Sequence, residues 1–172
     1  MLKLQGNFTT TKKTSDSKCF FSHATVPYDL NEGGSVYGAR ILEWADNLSG
    51  LVSIKHRRGS VTTASFDQFN FVNPIELGDF IFGEAFISGT GDASMEIFIK
   101  FVGEKSVTGE RYLAAFGFIT YAAKKLKPGE KVPKIEGVTE EETSIIQGYE
   151  ERKKIIKEKI ERNKKLTQII KL

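Results

Sequence analysis

Residues 29–56 read DLNEGGSVYGARILEWADNLSGLVSIKH, a glycine-rich turn followed by a mostly apolar segment that carries an acid in its middle. Apolar side chains recur in this segment at steps of three and four residues. That spacing predicts a helix with one face buried in a core. The predicted core positions are Ile41, Leu42, Ala45, Leu48, Leu51 and Val52.

The acid in the middle of this helix is Asp46, which lies one turn from Leu42, Ser49 and Gly50. It therefore flanks the apolar face, where small residues would let another chain segment or a ligand approach closely. A buried carboxylate is costly unless it is paired or used. From this pattern alone, a solvated charge is still the favoured interpretation of Asp46.

After the helix the pattern changes to the alternation that is typical of strands. Four strands are predicted over residues 61–71, 80–88, 95–101 and 112–123, and a first strand over residues 18–26. Turn residues such as Asn73-Pro74 and Gly78-Asp79 separate them. Because the later connections are short, the pattern predicts an antiparallel sheet around one long helix, an α+β fold.

The composition excludes several kinds of site. Cys19 is the only cysteine, so an internal disulfide framework and a cysteine-based zinc site are excluded. A small buried residue at the start of a strand is the favoured interpretation of Cys19. His23 has no matching cluster of acids, so no metal site is expected. The polar N-terminus and the lack of a long apolar run predict a cytoplasmic protein without a membrane span.

The sequence predicts a main domain at residues 1–123, a linker at 124–138 and a charged helix at 139–172. Thr139 and Glu142 form a capping-box pattern that opens this helix. The C-terminal part of this helix is strongly basic, since residues 151–172 hold nine Lys or Arg against three Glu.

Such a helix could bind nucleic acid, an anionic membrane surface or an acidic ligand. Because no aromatic residue follows Tyr149, nucleic acid is not the expected partner. The favoured interpretation is a solvated helix that packs through Ile145, Tyr149, Ile156 and Ile160.

Five stretches occur in the order that a known family uses. They are DLNEGGSVYGARILEWADNLSG at 29–50, TTASFDQFNFVNPIELGD at 62–79, SGTGDASMEI at 88–97, ERYLAAFGFITYAA at 110–123 and VPKIEGVTEEE at 132–142. On these stretches the chain resembles the hotdog-fold acyl-CoA thioesterases, in the group of bacterial acyl-CoA hydrolases related to brain acyl-CoA hydrolase. Two positions depart from the family pattern: Gly38-Ala39 replaces a frequent glycine pair, and Ala45 stands where Met is frequent. Both departures concern the shape of the acyl pocket.

The resemblance implies a sheet that curls around the long helix, protomers that pair edge to edge, and a trimer of dimers. It also implies a composite catalytic site, in which Asn31 of one protomer faces Asp46 of its partner. Asp46 would act as general base on a water, or would attack the thioester directly to give a mixed anhydride. The sequence leaves these two routes open. Asn31 would orient the water or the carbonyl, although a simple turn residue is the competing interpretation.

The remaining site residues are expected to bind the substrate. Backbone N–H groups of Gly38 and Ala39 at the helix N-terminus would stabilise the developing oxyanion. Thr90 and Ser94 would contact coenzyme A, although they suit a hairpin equally well. Arg57 and Arg58 would bind its phosphates, with His56, Arg57 and Arg58 otherwise capping the helix.

Coenzyme A enters this reaction as part of the substrate, and no metal or redox cofactor is expected. The alternative is a non-catalytic acyl-CoA or nucleotide-binding module in which Asp46 binds without turnover. The sequence leaves open the preferred acyl chain length and any regulatory nucleotide.

Overall fold

The structure is a computed structural model that describes residues 11–171. Residues 1–10 and Leu172, which the sequence analysis places in the polar N-terminus and the C-terminal helix, lie outside the described residues. The described strands are β1 Thr11–Lys13, β2 Cys19–Ala24, β3 Val61–Phe71, β4 Phe80–Thr90, β5 Ser94–Glu104, β6 Arg111–Ala123 and β7 Lys134–Glu136. The helices are α1 Gly38–Arg57, α2 Glu140–Gln147 and α3 Tyr149–Thr167.

Five strands form one sheet in the order β2-β4-β5-β6-β3, with every neighbouring pair antiparallel. This sheet packs against α1, as the alternating pattern predicts, and the α+β prediction is confirmed. The predicted strand at 61–71 has the same bounds as β3. The short strands β1 and β7 pair in parallel beside it, a pairing that no periodicity in the sequence indicates.

The buried face of α1 follows Ile41, Ala45, Leu48 and Val52, as predicted. Leu51 was expected in the same core, but it is 56% exposed, so that expectation is wrong. The reason is that the buried face of α1 also includes Ser49 and Ser53, whereas the apolar Leu51 and Ile54 lie on the exposed side. Small side chains let a helix pack closer to the neighbouring surface. A pattern based on apolar residues does not identify such positions.

The C-terminal end of α1 agrees with the predicted cap at Arg58 and differs from it at His56. His56 is buried and its Nε2 lies 2.9 Å from the carbonyl oxygen of Pro133, in the segment before β7. Burial lowers the pKa of His56, so the ring is not the cation that was expected to offset the helix dipole. Arg58 ends the helix, as predicted, with φ of 59° and an N–H that donates to Ile54 O at 2.7 Å.

The capping box at the start of α2 is confirmed. Thr139 Oγ1 accepts a hydrogen bond from Glu142 N, and Glu142 Oε2 accepts one from Thr139 N at 3.0 Å. The chain turns at Gly148 and continues as α3. Ile145 packs on an aromatic cluster of Phe86, Phe98 and Phe118 in the sheet.

The predicted packing face of the C-terminal helix is correct only near its start. Tyr149 and Ile156 are half-buried, but Ile160 is 48% exposed, so its predicted packing role is wrong. The sheet supports α3 only over its first turns, because the helix then extends past the strands. Within residues 11–171, no helix has the length and apolar character needed to cross a membrane.

Candidate active site

The carboxylate of Asp46 is held by hydroxyl groups from two strands. Thr63 in β3 donates from Oγ1 to Asp46 Oδ1 at 2.7 Å. The hydroxyl of Tyr121 in β6 lies 2.7 Å from the same oxygen and 2.7 Å from the backbone oxygen of Asp46. The interpretation of Asp46 as a solvated surface charge does not fit these contacts. Neither Thr63 nor Tyr121 was identified from the sequence.

The expectation that small residues beside Asp46 admit another segment is confirmed, and the segment is β6. A Cβ at Gly50 would lie 3.4 Å from the hydroxyl oxygen of Tyr121. A larger side chain at this position would occupy the space that the tyrosine ring uses. Burial, followed by the hydrogen bond and the charge of Asp46, raises the pKa of Tyr121. The phenol therefore keeps its proton and acts as a donor.

Asn31 lies in the loop that precedes α1. Its Oδ1 accepts hydrogen bonds from Gly33 N at 2.9 Å and Ser35 N at 3.3 Å, and its Nδ2 donates to Ser35 Oγ at 3.3 Å. Within one chain it is therefore a turn residue, as the competing interpretation has it. Over residues 11–171, the side-chain hydrogen bonds of Asn31 stay in its own loop and those of Asp46 go to the sheet.

The start of this loop is anchored by a buried acid that the sequence analysis missed. Asp29 Oδ2 lies 2.7 Å from His23 Nε2, and it accepts a hydrogen bond from Val26 N at 3.0 Å. Burial works against ionisation of Asp29, but these bonds and Arg40 lower its pKa overall. The carbonyl of Asp29 also accepts from Tyr37 N, which joins the two ends of the loop.

The first turn of α1 begins at Gly38, next to a cavity of about 340 Å³ that Phe71 and Asn73 also line. The N–H groups of Gly38 and Ala39 belong to the turn that has no intrahelical acceptors. They are therefore available to an oxyanion. Gly38 and Asp46 are eight residues apart on one helix, which corresponds to about 12 Å along its axis. One chain by itself does not bring these donors to the acid.

Thr90 and Ser94 lie at the two sides of the β4–β5 hairpin. Thr90 is buried, and across the sheet it pairs with Met95 of β5, which pairs with Tyr121 of β6. Thr90 therefore lies in the same cross-strand row as Tyr121, one of the two residues that donate to Asp46. Ser94 is half-buried, and its carbonyl accepts from Gly91 N at 2.9 Å to close the turn. The hairpin role is thus visible in the structure, and contact with coenzyme A stays a prediction.

Arg57 and Arg58 line an open cleft of about 970 Å³ at the C-terminal end of α1. Five lysines between residues 124 and 134 line the same cleft, together with the single acid Glu130. Arg57 Nη1 donates to Ser60 O at 2.6 Å, and Arg57 Nη2 lies 3.7 Å from Glu130. Arg58 is exposed. This concentration of positive charge suits a ligand with several phosphates.

No group of three or more His, Cys, Asp or Glu side chains that could hold a metal ion occurs in the part of the chain that the structure describes. His23 pairs with Asp29 and His56 with a backbone carbonyl, so both histidines have structural partners.

The chain is similar in sequence and in structure to thioesterases. The family model of the thioesterase superfamily matches residues 33–110. YkhA of Bacillus subtilis, an uncharacterised acyl-CoA thioester hydrolase, is 32% identical over 149 residues, which cover 83% of this chain and 86% of that protein. An acyl-CoA hydrolase structure from Bacillus cereus has 30% identity and a TM-score of 0.87, and the match covers 93% of this chain and 98% of that one.

An acyl-CoA hydrolase of Staphylococcus aureus, solved with butyryl coenzyme A and coenzyme A, has 25% identity and a TM-score of 0.86, with 92% of this chain and 98% of that chain covered. That enzyme was also solved with an asparagine, an aspartate and a threonine each replaced by alanine. There the aspartate follows the asparagine by 15 positions and the threonine follows the aspartate by 17. Asn31, Asp46 and Thr63 have the same spacing.

Proposed function

Because this chain belongs to the acyl-CoA thioester hydrolases of the thioesterase superfamily, we propose that it hydrolyses acyl-CoA through Asp46 of one protomer and Asn31 of its partner. The products are a free fatty acid and coenzyme A. The hotdog fold predicted from the sequence is confirmed by the five-stranded antiparallel sheet around α1 and by the matched structures.

The observation that carries the proposal is the carboxylate of Asp46, held through Oδ1 by Thr63 and Tyr121 in the middle of α1. In one route Asp46 takes a proton from water while the water oxygen attacks the thioester carbonyl carbon. The oxyanion is stabilised by the N–H groups of Gly38 and Ala39, the C–S bond then breaks, and the thiolate of coenzyme A takes up the proton that Asp46 removed from water. In the other route Asp46 attacks the carbonyl itself, and water hydrolyses the mixed anhydride. Both routes use the same residues.

The separation within one chain supports a site shared by two protomers. The oxyanion donors and Asp46 lie about 12 Å apart along α1, too far to act on one carbonyl group. Strand β3, which carries Thr63, is an edge strand of the sheet and can pair with a second copy. Edge-to-edge pairing with a two-fold axis would make both sites equivalent. We extend this to a trimer of dimers, since a similar acyl-CoA thioesterase was solved as a hexamer.

The reaction uses water, side chains and backbone N–H groups, so we propose no metal or redox cofactor. Coenzyme A is part of the substrate. The basic cleft at the end of α1 is the proposed site for its phosphates, with Arg58 as the exposed ligand and Arg57 as a cation fixed by Ser60 and Glu130. Thr90 and Ser94 are proposed to contact the pantetheine.

The test of the proposed function is thiol release from short, medium and long acyl-CoAs by the wild type and by Asp46→Asn. We expect turnover by the wild type and its loss in a folded Asp46→Asn protein. Glu43→Gln is the matched control, because Glu43 is an acid on the same helix that is exposed and pairs with Arg40. It should keep full activity. A folded wild-type dimer that releases no thiol from any substrate would contradict the proposal and favour the non-catalytic acyl-CoA or nucleotide-binding module.

The phosphate site has a separate test. Arg58→Ala should raise KM for acyl-CoA and leave kcat unchanged, because the phosphates lie away from the reacting carbonyl. The same variant should show no change in KM for an acyl-pantetheine, which lacks the nucleotide. Arg111→Ala is the control, since Arg111 is an exposed cation that pairs with Glu104 outside the cleft. An equal rise in KM for both substrates would contradict the assignment.

A further inference from the structure

We infer that Tyr121 is a positioning residue that commits Oδ1 of Asp46 to hydrogen bonding and leaves Oδ2 as the oxygen that reacts. This inference rests on the proposed function, because it assigns a role to a residue that acts through Asp46. It goes further by stating which oxygen takes the proton, or attacks the carbonyl, and what distinguishes the two oxygens.

The geometry that points to this is the pairing of Thr63 and Tyr121. These residues are direct partners across the β3–β6 ladder, so the register of the sheet places both hydroxyls on one side of the helix. Each hydroxyl lies 2.7 Å from Oδ1 of Asp46. Over residues 11–171, every hydrogen bond to this carboxylate ends on Oδ1 rather than Oδ2.

Tyr121 also fixes the position of the carboxylate relative to the helix. Its hydroxyl lies 2.7 Å from both Oδ1 and the backbone oxygen of Asp46, and so it bridges side chain and main chain of one residue. The two oxygens of a carboxylate are chemically equivalent, and rotation about the terminal torsion exchanges them. A donor shared between Oδ1 and the main chain removes that equivalence.

The tyrosine lies against the surface of α1 at a glycine. Gly50 lies one turn after Asp46, and a Cβ there would be 3.4 Å from the Tyr121 hydroxyl and 3.9 Å from its ring. Tyr121 itself is 3% exposed. The ring is therefore packed in place before any substrate binds, which is the condition for positioning a catalytic group without cost at the moment of reaction.

Since the hydroxyl of Tyr121 does not contact the substrate in this arrangement, its loss should reduce kcat and spare KM. Tyr121→Phe keeps the ring and removes only the donor. We expect kcat to fall roughly 10- to 100-fold, because a misplaced catalytic group loses about that factor, while KM changes by less than about twofold.

Tyr112→Phe is the matched control. Tyr112 is also in β6, and its hydroxyl donates to the carboxylate of Asp79 at 2.5 Å, in contacts separate from those of Asp46. If the tyrosine–carboxylate hydrogen bond matters only for stability, its loss should lower the melting temperature of both variants. Only Tyr121→Phe should lower kcat.

The double variant Tyr121→Phe/Thr63→Val provides the second measurement. Because both hydroxyls act on Oδ1, their effects should be coupled. The loss in kcat of the double variant should therefore differ from the product of the two single losses. Wild-type turnover that is lost in Asp46→Asn but retained within about twofold in folded Tyr121→Phe would overturn this inference alone. Absence of turnover in the wild type would overturn both this inference and the proposed function.

Discussion

Arg152 in α3 forms an ion pair with Glu96 in β5, with Nη2 2.8 Å from Oε1 and Nε 3.2 Å from both carboxylate oxygens. The guanidinium also lies 4.2 Å from the ring centre of Phe118. Glu96 is 2% exposed and accepts a further bond from Ser88 Oγ at 2.7 Å. This pair holds the start of the C-terminal helix against the face of the sheet opposite α1.

Glu96→Gln should destabilise the protein, because it leaves Arg152 partly buried without its counter-charge. We expect a loss of about 3 kcal/mol in the free energy of unfolding, which corresponds to a fall of roughly 6–12 °C in the melting temperature. Thermal unfolding measures the change. Glu150→Gln is the control, since Glu150 pairs with Lys153 at the surface and its loss should change stability by less than about 0.5 kcal/mol. Equal melting temperatures for the two variants would contradict the role of Glu96.

Gly89→Ala should displace the C-terminal helices. A Cβ at Gly89 would lie 2.1 Å from Cδ2 of the Tyr149 ring, far inside van der Waals contact. We expect a loss of about 1–3 kcal/mol in the free energy of unfolding, as is usual for overpacked positions. The measurement is chemical denaturation of Gly89→Ala and of Gly89→Ala/Tyr149→Ala. If the overlap is the cause, adding Tyr149→Ala should cost less in the Gly89→Ala background than in the wild type; equal costs would show that the ring is not involved.

His56 should make stability fall on mild acidification. Burial lowers its pKa in the folded protein below the ordinary value of 6.5. In the unfolded chain the ring takes up a proton as the pH falls through 6.5, while the folded chain stays neutral. The free energy of unfolding therefore decreases below about pH 7 and continues to decrease until the folded ring also titrates.

The measurement is the melting temperature between about pH 7.5 and 5.5. His56→Gln should lose most of the decrease seen in the wild type, because glutamine can donate to Pro133 O without titrating. His23→Gln is the companion variant and should keep the decrease, since His23 pairs with Asp29 and not with Pro133. A decrease of the same size in His56→Gln would show that another group causes it.

Mixing Asn31→Ala and Asp46→Ala protomers should restore activity that neither variant has alone. In the shared-site arrangement a mixed dimer keeps one site with both residues intact. Random exchange at equal amounts makes half of the dimers mixed, so about one quarter of wild-type activity is expected. Thiol release after co-refolding measures it, and native mass spectrometry verifies that mixed dimers form. Mixed dimers without activity would contradict the arrangement.

Several features of the fold follow from local chemistry and could be predicted from the sequence. Residues 61–71 alternate in polarity, and they form β3 with those bounds. Thr139 and Glu142 are three residues apart, and their reciprocal hydrogen bonds open α2. Such features depend on neighbours within a few residues, so periodicity and spacing are sufficient to identify them. Asp46 and Asn31 could also be identified as candidate site residues, because family stretches surround both.

What the sequence by itself determined is therefore the order and type of the main elements and the identity of the candidate acid. The tertiary structure decided what each polar group contacts. Thr63 and Tyr121 reach Asp46 across 17 and 75 residues, and His56 reaches Pro133 across 77. It also placed Leu51 and Ile160 at the surface, against their apolar character. These outcomes depend on strand register and on how closely α1 approaches the sheet, and neither quantity is encoded in the periodicity of a single segment.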